Sequence, residues 1–83
     1  MMLRVRLPDG TTVLCSDLST CYVNEQSLLD LVQRGEAEVT IVAGMGEVLF
    51  CPLCGSVVSS ARRGTTEVSC QHCGKSFRVE VRT

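Results

Sequence analysis

At 83 residues and a net charge of −1, the chain makes at most one ordinary domain or two very small ones, and a chain this short often needs a staple to hold its fold. No apolar run approaches a membrane span, and so weak a net charge does not by itself predict tight phosphate binding. Only Tyr22, Phe50 and Phe77 are aromatic, and the apolar mass is mostly Val and Leu, which favours a β-rich fold.

Leu3, Val5 and Leu7 alternate with Arg4 and Arg6, the pattern of a half-buried strand. Pro8-Asp9-Gly10 supplies a turn: proline presets φ, aspartate bonds locally and glycine accepts positive φ. Thr11 to Cys15 then returns as a second strand of a hairpin. Ser16 to Val23 is mixed in polarity and reads as a loop. Asn24 is placed to cap a helix that starts at Glu25, with Leu28, Leu29, Leu31 and Val32 on one face and Gly35 ending it. That helix is too short to be stable alone, so its leucines must pack on the sheet. Val39, Ile41 and Ala43 alternate as a third strand, Gly44-Met45-Gly46 turns the chain, and Glu47 to Phe50 runs straight into Cys51.

Beyond Phe50 the chemistry changes. Cys51-Pro-Leu-Cys54-Gly is followed, after fifteen residues, by Cys70-Gln-His-Cys73-Gly. Each half is a CxxC turn closed by glycine, and four thiolates at this spacing are what a closed tetrahedral Zn²⁺ site needs. Val57 to Ala61, Thr66 to Ser69 and Ser76 to Val81 are β-prone, with Arg62-Arg63-Gly64 as a hairpin tip. They predict a three-stranded antiparallel sheet with the metal at one end.

Residues 51–83 thus resemble a zinc ribbon, with CPLCG and CQHCG as its knuckles and Phe77 as its core aromatic. Residues 1–50 suggest a ββαββ module of β-grasp type. The expected fold is therefore a small α+β chain, a ββαββ module at 1–50 fused to a three-stranded antiparallel zinc ribbon at 51–83. No Gly-, Ser- or Pro-rich linker separates the two, so they should pack together rather than move freely, with a shared sheet as one arrangement. Zinc ribbons recur in transcription factors, polymerase subunits, ribosomal proteins and accessory subunits of enzymes. The resemblance therefore implies a fold and a metal, not one function.

The expected ligands are Cys51, Cys54, Cys70 and Cys73, holding one structural Zn²⁺. Rubredoxin-like iron is the competitor, because CPLCG also occurs in rubredoxin knuckles. Against it stand the short gap between knuckles, the missing aromatic core and the scarcity of acids near the site. His72 should face solvent from inside its knuckle. Cys15 and Cys21 read as a buried and a half-exposed thiol, and a disulfide between them requires their Cα atoms to approach closely.

Charge is unevenly distributed. Residues 1–50 carry three arginines against seven acids, and residues 51–83 carry five cations against two. Arg62, Arg63, Lys75, Arg78 and Arg82 are the candidate nucleic-acid contacts, although no aromatic interleaves them for base stacking. Met1 to Arg6 lacks the apolar core of a signal peptide, so the expected setting is a reducing cytoplasm, where paired CxxC motifs read as metal sites and not as disulfides. No nucleophile–base–acid constellation is present, and four thiolates leave a metal no open position. We therefore expect a non-enzymatic binding module with a protein partner, an acidic N-terminal face, and neither membrane nor small-molecule substrate. The alternative is a nucleic-acid-binding or transcription-associated ribbon.

Overall fold

Alternation at the start of the chain sets the first layer. In the computed structural model, which describes residues 1–82, β1 (Met2–Arg6) buries Leu3 and Val5 and turns Arg4 and Arg6 outward. It pairs antiparallel with β2 (Thr12–Cys15) across the expected turn, where Gly10 takes φ +92° and Asp9 Oδ1 accepts the Thr11 N–H at 2.9 Å. On its other side β1 pairs antiparallel with β5 (Glu38–Gly44), whose Val39, Ile41 and Ala43 face the same core.

Between β2 and β5 the chain departs from expectation. Asp17 accepts from the Ser19 N–H at 3.0 Å and starts a 3₁₀ turn over Leu18–Thr20. A two-residue hairpin follows, joining β3 (Tyr22–Val23) to β4 (Gln26–Ser27). Asn24 (φ 50°) and Glu25 (φ 66°) are its tip and both are left-handed, as a type I′ turn requires. Asn24 therefore does not cap a helix, and Glu25 is not helical. Helix α1 is only Leu28–Gln33, preceded by Ser27, which makes no side-chain cap bond. The physical reason is local. Asparagine tolerates the left-handed region, and the Val23–Gln26 pairing fits the twist that such a turn imposes.

The helix end is as the glycine predicts. Gly35 (φ 76°) donates to Val32 O at 3.1 Å and Glu36 to Leu31 O at 2.9 Å, the two bonds of a Schellman motif. Leu28 and Leu31 reach the core from this one short helix. It is not long and apolar enough to cross a membrane, and neither is any other helix among the described residues.

The C-terminal strands differ from the expected three-stranded ribbon. β7 (Val57–Ser60) pairs with β6 (Val48–Phe50), not with β8. β8 (Glu67–Ser69) pairs antiparallel with β9 (Ser76–Arg82), and β9 joins β5 in parallel, giving a five-stranded order β2-β1-β5-β9-β8. The burial of β9 explains the choice. Phe77 and Val79 are 5% and 7% exposed, and Val79 stands opposite Ile41 in the β5 register. Lying beside β5, they complete one apolar cluster that runs from Leu3 and Val5 through Leu28 and Ile41 to Cys51 and Cys70. A ribbon folded only on itself would leave the Ile41 side of that cluster open to water.

Glutamate is a poor occupant of the left-handed Glu25 position. Replacing Glu25 by glycine relieves that strain, partly offset by the greater freedom of the unfolded chain. It should raise the urea midpoint of the metal-loaded protein by the equivalent of about 0.5 kcal/mol, whereas Glu25→Val should lower it.

Candidate metal centre

Each CxxC turn is built by the same pair of backbone bonds. In the first, Gly55 donates to Cys51 O at 2.9 Å and Cys51 donates to Ser56 O at 2.8 Å. In the second, Gly74 donates to Cys70 O at 2.7 Å and Cys70 donates to Lys75 O at 2.8 Å. Gly55 and Gly74 sit at φ 78° and 77°, so the glycine that closes each motif is required by its backbone conformation. Hairpin β6–β7 carries the first turn and hairpin β8–β9 the second.

The two turns bring Cys51, Cys54, Cys70 and Cys73 together, with all four Sγ atoms within 4.8 Å of one another. Cys51 and Cys73 are 3.5 Å apart, and Cys54 and Cys70 3.6 Å. A tetrahedron with metal–sulfur bonds of ~2.3 Å has edges of about 3.8 Å, so this donor set fits a single four-coordinate ion. Cys51 and Cys70 are 2% exposed, while Cys54 and Cys73 meet solvent. No disulfide joins any two of the six cysteines.

Protonation of the cluster is uneven. Burial pushes the Cys51 thiol up to about 12, against smaller opposing hydrogen bonds from the Cys54 and Leu53 backbone. Cys54 is drawn down to about 5, first by hydrogen bonding to the Ser56 side chain and N–H, with Cys51 and His72 adding smaller contributions. Ser56 Oγ lies 3.4 Å from Cys54 Sγ. The CxxC pattern gave no sign of this serine's role. Its signal is only the position two residues past the ligand, where the second knuckle carries Lys75. His72 is exposed and lies outside the four-sulfur group.

The five candidate cations occupy different parts of the surface. Arg62 and Arg63 are exposed in the turn after β7, where Thr65 N–H donates to Arg62 O at 3.0 Å. Arg78 and Arg82 share the outer face of β9 with Glu80, as their period-two spacing predicts. Arg78 stands opposite Glu67 in the ladder, and Glu80 forms an ion pair with Arg4. Lys75 is exposed directly after the second knuckle. Arg4 and Arg6 lie on this same outer face, an addition that β1 alternation foreshadows but only the β1–β5–β9 register reveals.

Metal binding to thiols releases protons, so affinity rises with pH. Cys51 holds its proton across the neutral range and must lose it on binding, whereas Cys54 is already ionised above about pH 5. In competition with a chromophoric chelator between pH 6 and 8, the logarithm of the metal affinity should climb with pH at a slope no steeper than three, because Cys54 has no proton left to release. A slope of four would contradict this protonation pattern.

No family model, curated protein or solved structure matches the chain. Its likeness to a zinc ribbon rests on the two knuckles and on the convergence of their sulfurs.

Proposed function

We propose that the chain is a small zinc-stabilised binding module, cytoplasmic and non-enzymatic, that serves as an adaptor or accessory subunit in a larger protein assembly. The observation that carries this reading is the four-sulfur cluster. Four thiolates fill the coordination shell of a zinc ion and leave no position for water or substrate, so the ion's role is to hold the fold. A structural zinc of this kind contributes on the order of 10 kcal/mol at neutral pH. That is ample for a chain with so small a core.

A protein partner is favoured by what the first metal-bearing hairpin leaves uncovered. Val48, Phe50 and Val57 are 44%, 42% and 66% exposed, and Phe50 pairs directly with Val57. This apolar strip leads into the first knuckle, so the metal that fixes the knuckle also fixes the strip. The nucleic-acid reading draws on Arg62 and Arg63, which make no ion pair among the described residues. It is weakened on the sheet face, where Glu67 and Glu80 stand beside Arg78 and Arg4.

Protein purified under native conditions should be colourless and carry a single zinc ion by elemental analysis; visible absorption would mean iron. A pull-down from native lysate should recover a defined partner that the Phe50→Ser, Val57→Ser double variant loses while keeping its zinc. Salt-sensitive oligonucleotide binding that disappears with Arg62→Ala and Arg63→Ala would favour the nucleic-acid reading instead.

A further inference from the structure

The five-stranded sheet ends in two strands, β2 and β8. An open strand edge carries unpaired N–H and C=O groups and is a template for another strand unless a charge, a proline or a bulge blunts it. β8 is three residues long and carries Glu67. β2 has no such guard. From Thr11 to Ser16 the chain reads Thr-Thr-Val-Leu-Cys-Ser, uncharged and rich in β-formers. The ladder with β1 fixes which of its backbone groups are free. Leu7 N–H donates to Thr11 O at 2.8 Å, and the register sets Val5 against Val13 and Leu3 against Cys15. Hydrogen-bonded pairs alternate along an antiparallel ladder, so Val13 and Cys15 exchange bonds with β1, whereas Thr12 and Leu14 turn their N–H and C=O to the open edge. Among the described residues no backbone bond from a turn or loop reaches either of them. The Leu14 side chain is 64% exposed on the outer face, beside Arg4, whose charge is met by Glu80. On the inner face Val13 and Cys15 belong to the apolar cluster.

We propose that β2 pairs antiparallel with β2 of a second copy of this chain, Leu14 opposite Leu14, and joins the two five-stranded sheets into one. The two-fold axis then stands perpendicular to the sheet, and each contact is made twice. Leu14 exchanges both backbone bonds with its counterpart, and the two exposed leucine side chains cover each other. On the inner face Val13 of one copy meets Cys15 of the other, so the two apolar clusters become continuous. On the outer face Thr12 meets Ser16. A second copy is the favoured occupant because the strand is its own complement: apolar meets apolar, hydroxyl meets hydroxyl, and no like charges face each other. A seam this short buries less than the roughly 1,600 Å² of a standard interface, so the dimer is reversible and fills only at high concentration. It uses none of Val48, Phe50 and Val57, and its failure would leave the partner reading of that strip untouched.

Amide exchange and sedimentation of the metal-loaded chain, both followed from micromolar to millimolar concentration, test the seam. The Leu14 amide should exchange freely when dilute and become protected as the sedimenting mass moves from monomer towards dimer, while the Val13 amide stays protected throughout. Leu14→Lys places a charge on the edge, and Leu14→Pro removes the donor that faces it without taking a bond from β1. Both variants should keep Val13 protected and remain monomeric at millimolar concentration. The proposal is overturned if the chain stays monomeric at every concentration, including the case in which Leu14 gains protection only from an added extended peptide. It is equally overturned if a dimer forms with Leu14 still exchanging freely, or persists in both variants.

Discussion

Four sulfur atoms within 4.8 Å of one another repel as soon as they ionise, and only a cation among them makes their approach favourable. The rest of the molecule depends on this constraint. The sulfurs come from two hairpins more than a dozen residues apart in sequence, and the second of these continues directly into β9. Whatever holds the knuckles together therefore also decides where β9 lies.

That placement matters because β9 is not a private strand of a C-terminal ribbon. It runs parallel to β5 from Thr40–Arg78 to Gly44–Arg82, next to the strand that already pairs with β1. A parallel neighbour needs a long crossover, and ordering that crossover costs conformational entropy before any strand contact repays it. Here the crossover holds both knuckles, so a bound ion shortens the effective loop. The apolar cluster includes the sulfur-bearing residues Cys51 and Cys70 together with Leu3, Leu28 and Ile41. Metal site and sheet core are two sides of one packed layer.

Much of this was legible in local pattern. The cysteine spacing names its chemistry because a CxxC-Gly turn has essentially one way to point two sulfurs at a point. Alternation identified β1 and β5, the Pro8-Asp9-Gly10 turn placed β2 as the return strand, and Gly35 marked the helix end that its Schellman bonds confirm. The β3–β4 hairpin was hidden because a type I′ turn usually announces itself by Asn-Gly, and Glu25 in the glycine place makes Asn24 look like a helix cap. The partner of β9 was hidden for another reason. A period of two tells which side chains of Phe77 to Val81 face inward, but not which distant edge they lie against. The ion pair of Arg4 with Glu80, 76 residues apart, follows only from that register. Likewise the exposure of Phe50 and Val57 depends on β7 pairing with β6 rather than β8.

The central claim is that an ion at the knuckles secures the main sheet and not merely the C-terminal hairpins. Amide hydrogen exchange on the metal-loaded and chelator-stripped chain tests this most directly, read at Val39 to Ala43 of β5. On this account, stripping the metal removes protection from β5 as well as from β9. Protection of β5 that is unchanged while the metal is gone would contradict it.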